Sequence, residues 1–480
     1  MSAAEVLIRA SITKGIGMVA DFNRSRLRGT DHPFLTGVHK PMTEEKTLID
    51  LEVTGAIPAE LSGRYLRIGP NPITPDPAGY HWFTGDGMVH AVSLEDGRAL
   101  SYRNRWLRSK VVSAALGEAP APGPRHGHND TVNTNIVAIA GRTWALVEAG
   151  AYPIELSETL EAQAHNAFDD TLEGSFTAHP HRDPLTGEYH AITYQATVPD
   201  EVRHVVIAAD GKVVREQPIP VTSGPSIHDC AITARYVAIL DLPVTFSMKA
   251  MIGGHLFAYA WDPKHQARVG LLPRSGTADD VIWCEVDPCY VFHVANAFDR
   301  DDGCVVIDVV AYDTMFAESR KGPDATGRFE RWVVDIGTRS VERRIIDASG
   351  QEFPRVDERR FGQPHRYAYT IAIEDGTKSF GIGTCLYKHD LQGEIREVHE
   401  FGPGRHPGEF IFIPRDAHSL EDDGWLMGLV IDVAHETTDL VIIDARNFAE
   451  APVAGVRIPH RVPPGFHGNW IGKSNQSVGR

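Results

Sequence analysis

The sequence predicts an all-β protein arranged as a propeller, and three observations carry that reading. From Ile49 onward, short runs of β-forming apolar residues alternate with turn signals almost to the end of the chain. Asp-Gly, a strong hairpin dipeptide, recurs at Asp96–Gly97, Asp210–Gly211, Asp302–Gly303, Asp375–Gly376 and Asp423–Gly424. Four histidines stand in similar settings, each beside a short apolar run and flanked by small or turn-forming residues: His179, His228, His293 and His467. Their separations are 49, 65 and 174 residues, the last being three intervals of 58. A four-stranded propeller blade takes roughly 40–50 residues, so one such histidine per blade would converge on a central axis. The spacing favours a propeller over a barrel or a sandwich.

In chain order, residues 5–20 carry apolar positions at roughly helical spacing with Arg9 and Lys14 between them. This predicts an N-terminal helix packed on the body; Gly15 and Gly17 weaken the alternative of a helix lying on a membrane surface. Residues 21–45 are polar and proline-containing, an extended arm, so the chain divides into a helix and arm over 1–45 and one propeller domain over 46–480. Ser175–His190 predicts a strand ending at Thr177–Ala178, a Pro-rich turn in which Pro180 pins His179, and a return strand opening at Glu188. Residues 157–165 read as a short helical piece, and 202–217 and 303–313 as hairpin or core strands. Leu242–Asp262 is apolar and Met-rich but broken by Lys249 and Gly253–Gly254. It is either a buried hairpin with a loop or an apolar lip at a substrate entrance.

The net charge of −17 argues against nucleic acid and anionic lipid as partners and leaves a neutral, apolar small molecule open. The five cysteines form no CxxC pair, which fits reduced thiols in the cytoplasm. No signal-peptide pattern and no run suited to a transmembrane helix are evident. The expected location is cytoplasmic, with peripheral membrane association as an alternative.

Any one of the 23 histidines is most often an ordinary surface or core residue. The four named above share strand-end settings, which points to one metal ion held by His179, His228, His293 and His467. Imidazole suits iron, copper, nickel and zinc alike, so the ligand type alone does not choose the metal. Four neutral imidazoles leave the charge of a divalent ion uncompensated, which suits an ion that binds and polarises O2. Metal-bound histidines usually donate their second ring N–H to a carboxylate or carbonyl. Glu148, Glu352 and Glu409, each in an apolar setting, could accept it; the bland alternative is that each faces solvent on an alternating strand.

These residues resemble a known family, the carotenoid cleavage oxygenases, which include the bacterial lignostilbene dioxygenases. The matching pieces run over about residues 45–475 and include GRYLRIGPNP (63–72), HWFTGDGMVH (81–90), FTAHPHRDPLTGE (176–188), SIHDCAIT (226–233), YVFHVANAFD (290–299), EFIFIPR (409–415) and GFHGNW (465–470). The resemblance implies a seven-bladed β-propeller capped by helices and loops over a central iron site. It implies one non-haem Fe(II) per chain on His179, His228, His293 and His467, glutamates at Glu148, Glu352 and Glu409 that hold the ligating rings from behind, and O2 as co-substrate. The implied reaction inserts both oxygen atoms across an alkene to give two carbonyl products. Lignostilbene-type members carry a lysine where this chain has Val147, so the branch implied is the one acting on carotenoids or apocarotenoids; a hydroxystilbene-cleaving enzyme is the alternative. Tyr102 or Trp106 would approximate the tyrosine that pairs with that lysine, and Phe292 stands where family members place an aromatic ring against the polyene. An isomerising enzyme on the same scaffold and a non-catalytic metal-binding propeller are the other classes, separated from cleavage by oxygen consumption and label incorporation.

Overall fold

Strands dominate because runs of β-branched and aromatic residues are long enough to be covered on both faces. Val305–Tyr312 and Gly424–Asp432 are buried at every position, whereas Ser340–Asp347 alternates between exposed and half-buried. The structure, a computed structural model, describes residues 15–27, 32–127, 129–376, 380 and 382–473. The all-β reading holds. Of the predicted N-terminal helix, residues 5–14 lie outside the described residues, and residues 15–24 are helical.

Five separate antiparallel sheets of four or five strands form blades. One runs in spatial order Lys46–Ile49, Arg98–Trp106, Gly87–Glu95, Gly63–Pro70 and Gly468–Gly472, so the last strand of the chain completes the first sheet. A second joins Val53–Gly55 to Ala454–Ile458, Thr437–Asp444, Gly424–Asp432 and Arg405–Pro414. The two chain ends are thereby stitched into two sheets. The other three are meanders between Asn135 and His165, His181 and Pro220, and Gln351 and Glu400.

The expectation of seven separate blades is corrected. Between Cys230 and Asp347 the chain forms one eight-stranded sheet. Its two four-stranded halves are joined at their outer edges by a parallel pair, Glu285 with Ser340, supported by Glu285 N–H donating to Arg339 C=O at 3.0 Å. The terminal strands Cys230–Ile232 and Tyr290–Asp299 lie against each other, so this sheet curls nearly closed. Edge pairing of this kind leaves no periodic mark in a sequence, because any pleated edge can offer its backbone groups.

Local readings fare unevenly. Four of the five Asp-Gly pairs sit between consecutive antiparallel strands, with φ of +72°, +86°, +90° and +79° at Gly97, Gly211, Gly303 and Gly376. The fifth does not turn the chain: Gly424 opens a strand, and a Cβ there would meet Ile413 O at 2.2 Å. No strand ends at Thr177–Ala178; His179 precedes the two-residue strand His181–Arg182, which pairs with Tyr189–Tyr194. The piece 157–165 is not helical and ends in the strand Gln163–His165. Leu242–Asp262 forms a two-stranded ribbon, Val244–Phe246 with Tyr259–Trp261, carrying a short helix, Met248–Ile252.

Candidate metal centre

The four histidines come from different places and meet. His228 stands two residues before the strand Cys230–Ile232 and His467 directly before Gly468–Gly472. His293 lies inside Tyr290–Asp299, where the pairing register shifts on both sides of Val294. Such irregularities re-aim side chains beside functional sites. His179 is held by the loop before His181, where Asn135 Nδ2 donates to Ala178 C=O at 2.7 Å. His293 lies in, and His228 just precedes, a terminal strand of the same eight-stranded sheet, so the expectation of one histidine per separate blade does not describe this pair.

Close backbone approach explains the glycines of GFHGNW. Phe466 N–H donates to Ile68 C=O at 2.9 Å and Ile68 N–H to His467 C=O at 3.1 Å. A Cβ on Gly465 would meet Arg67 Cζ at 2.8 Å, and one on Gly468 would meet Leu66 O at 2.8 Å. Larger residues at either position would lift His467 off the strand Gly63–Pro70.

The Nε2 atoms of neighbouring histidines are 3.0 Å apart for His179–His228, 3.3 Å for His228–His293 and 3.2 Å for His293–His467. Three of the rings face carboxylates through Nδ1: His228 to Glu148 at 2.8 Å, His293 to Glu352 at 2.6 Å and His467 to Glu409 at 3.0 Å. Each of the three glutamates singled out in the sequence thus lies against one of the four histidines. Glu352 and Glu409 are buried and Glu148 is half-buried. Glu352 also accepts from Tyr312 Oη at 3.0 Å and from the Phe353 N–H. Glu409 accepts from Gly468 N–H at 2.9 Å and faces the Arg355 guanidinium at 3.6 Å.

Burial pushes the Glu409 carboxyl up, but Arg355 and His467 outweigh it and hold it down at about 2. Burial likewise opposes ionisation of Glu352, and His293 overrides it, leaving the carboxyl below its usual range. The same pair lifts His293 above the ordinary imidazole value against the pull of burial. Burial, with the neighbouring imidazoles, drives His179 far down, and burial lowers His467.

This donor set fits one metal ion. An ionised carboxylate only accepts, so each paired Nδ1 donates and the neutral ring presents a bare Nε2 lone pair. Among the three rings so paired, neutral Nε2 lone pairs facing one another at 3.2–3.3 Å repel unless a cation lies among them. For a metal–imidazole bond of roughly 2.0–2.1 Å, donors around one ion lie about 2.9 to 3.4 Å apart, which brackets these separations. Three carboxylates less the Arg355 charge leave two negative charges beside the site, so the charge of a divalent ion is balanced from the second layer rather than left bare. Among the described residues, a second group, His181, Asp229 and Cys230, also brings metal-capable atoms together, but His181 Nε2 is already bonded to Asp229 Oδ1 at 2.7 Å.

A cavity of about 220 Å³ opens off three of the four histidines, His228, His293 and His467. Aromatic side chains form a large part of its wall, among them Trp82, Phe83, Phe292, Phe353, Phe380 and Phe466, with threonines and asparagines between them. Val147 and Phe292, both predicted from the sequence, line it. Phe292 packs edge-on against His228 at 5.2 Å and against Phe83 at 5.7 Å. Among the described residues, no lysine or arginine lines it. Tyr102 and Trp106 are not in it: Tyr102 is buried beside His90, and Trp106 Nε1 donates to Asn71 C=O. Phe353 and Phe466 escaped the sequence reading although each adjoins a site residue, Glu352 and His467; that adjacency was the available signal. Phe83, in the 3-10 turn Trp82–Thr84, and Phe380 adjoin no such residue. His179 instead borders a second, more polar cavity of about 410 Å³ with Arg355, Glu358 and Asn469.

The sequence profile of the retinal pigment epithelial membrane protein family matches residues 39–472. The chain belongs to this family. It is 41% identical over 491 aligned positions to a carotenoid cleavage oxygenase of Mycobacterium tuberculosis, covering 92% of this chain and 98% of that protein. Among solved structures, it is similar to a lignostilbene dioxygenase of Pseudomonas brassicacearum, with a TM-score of 0.83, 28% identity and coverage of 92% and 99%. It is also similar to the cobalt-substituted apocarotenoid oxygenase of Synechocystis, with a TM-score of 0.81, 26% identity and coverage of 90% and 97%.

Proposed function

We propose that this chain is a non-haem iron dioxygenase that cleaves a carbon–carbon double bond of a carotenoid or apocarotenoid into two carbonyl products. The observation that carries the reading is an apolar, aromatic cavity opening directly onto a four-histidine cluster braced by carboxylates. His179, His228, His293 and His467 hold one Fe(II). Bound iron(II) supplies the site at which dioxygen is activated for insertion across the alkene. The protein supplies the rest. Glu148, Glu352 and Glu409 fix three imidazole rings and their tautomers, so that Nε2 stays free to ligate. Phe83, Phe292 and Phe466 press a flat polyene segment beside the cluster and keep bulk water out. Dispersion and desolvation hold such a substrate with few polar contacts.

Val147 supports an apolar substrate over a phenol, because neither it nor any other described residue of the cavity wall offers a cation to a phenolate. The test is product analysis after incubating the iron-loaded protein with apocarotenals and hydroxystilbenes. Paired carbonyl fragments from an apocarotenal are expected; cleavage of hydroxystilbenes alone would move the protein to the other branch.

The apolar ribbon 242–261 supports pickup of substrate from a lipid surface. Its short helix exposes Met248 and Ile252, with Leu256 beyond, and Asn23 and Arg24 tie the helix 15–24 to it through Ile252 C=O and Gly254 C=O. That helix exposes Met18, Val19 and Phe22. Phe257 and Tyr259 of the ribbon reach the cavity wall. No helix among the described residues is long and apolar enough to cross a membrane, so the contact would be peripheral. Met248→Asp with Leu256→Asp should lower sedimentation with neutral liposomes; unchanged sedimentation would remove this role. Five unpaired cysteines, four of them buried, support a cytoplasmic setting.

A further inference from the structure

Three ligand-bearing segments are tied together by one carboxylate. His181 lies two residues after His179, Asp229 one after His228, and Val294 one after His293. His181 Nε2 lies 2.7 Å from Asp229 Oδ1, which also accepts from the Cys230 N–H at 2.7 Å. Asp229 Oδ2 accepts from the Val294 N–H at 2.8 Å. All four residues are buried. The pairing register of Tyr290–Asp299 shifts on both sides of Val294, so Asp229 grips this strand where its own ladder is irregular. His181 is in turn packed edge-on against Phe361 at 5.2 Å.

We propose that His181 and Asp229 are positioning residues: through one shared carboxylate they set the relative placement of the loops carrying His179, His228 and His293, and so the convergence of their Nε2 atoms. The proposal rests on the reading of the four histidines as one metal site. Neither residue is a ligand, and neither touches the aromatic cavity. A buried carboxylate with three donors cannot shift without leaving one of them unpaired, so the three segments move together or not at all. A purely stabilising role would add folding free energy without affecting the metal.

The molecule contains its own control. His265 and Asp241 form a buried pair of the same kind, with Nε2 to Oδ1 also 2.7 Å, but Asp241 bonds to Arg268 rather than to a ligand-bearing segment. The experiment measures cobalt(II) affinity of the metal-free full-length chain, the visible absorption of the cobalt form and the melting temperature, for His181→Gln, Asp229→Asn and His265→Gln. Outer-layer changes around metal ligands typically cost roughly 10–100-fold in affinity. That loss, with an altered absorption band, is expected for His181→Gln and Asp229→Asn. His265→Gln should lower the melting temperature yet keep native cobalt affinity and spectrum. Native affinity and spectrum in His181→Gln would overturn the proposal, and that variant alone carries the test if Asp229→Asn does not fold. A separate arm, His467→Ala, checks the underlying site: native cobalt affinity there would defeat the four-histidine reading itself, whatever the His181 result.

Discussion

The three carboxylates around the histidines each make a hydrogen bond of 2.6 to 3.0 Å to a ring nitrogen, and two of them make further bonds to backbone or tyrosine. The cavity that opens off them is held by ring packing, with Phe83 at 5.1 to 5.7 Å from Phe380, Phe292 and Phe466. Hydrogen bonds between buried charged groups are directional, and losing one partner strands the other. Contacts between rings are individually small and tolerant of shape. The centre should therefore respond to substitution steeply, and the cavity in a graded way that changes which substrate is preferred.

The largest effect is expected at the ligands. His467→Ala should remove iron and activity together while the fold survives, a loss beyond the roughly 100-fold upper end for outer-layer residues. Glu352→Gln, which disturbs the bonds to His293, Tyr312 and Phe353, should come next, within the roughly 10–100-fold range for iron affinity or turnover. Iron content by mass spectrometry and steady-state rates check both. Full activity in His467→Ala, or an untouched Glu352→Gln, would erase the contrast between a rigid centre and a tolerant cavity.

In the cavity the expected change is one of selectivity. Val147 packs against hydrocarbon and offers a phenol hydroxyl no partner of its own; a hydroxyl left unpaired there costs on the order of 1–3 kcal/mol. That is roughly a factor of 5 to 150 in kcat/KM at tenfold per 1.36 kcal/mol. The native protein should favour an apocarotenal over 4-hydroxystilbene, and Val147→Lys should shift the ratio toward the phenol. Because neither Tyr102 nor Trp106 reaches the cavity, a native preference for the phenol would require another donor along the wall.

The same contrast governs what could be read from the sequence. Histidines and glutamates are chemically distinctive and sit in short motifs with glycine, proline or aspartate beside them, so His228 in SIHDC and His467 in GFHGN stand out. The aromatic wall does not, since Phe83 and Phe380 are among 19 phenylalanines and nearly 300 residues apart in the chain, yet their rings lie 5.1 Å apart. Two readings failed for the same reason. The merging of two four-stranded halves depends on one lateral contact between Glu285 and Ser340, and Gly424 serves a close backbone approach rather than a turn. Periodicity reports which face of a strand is buried and not which strand edge lies beside it. His179, expected at a strand end, is instead placed by a loop and by Asn135 from another sheet.

The central claim is oxidative cleavage at the four-histidine centre, and isotopically labelled dioxygen tests it most directly. The iron-loaded native chain is incubated with an apocarotenal under labelled O2, the products are trapped at once to limit carbonyl exchange with water, and both fragments are analysed by mass spectrometry. The account predicts two carbonyl products, each carrying one labelled oxygen atom, and none from the His467→Ala chain. Label in only one fragment, or an isomerised substrate with no oxygen consumed, would contradict it.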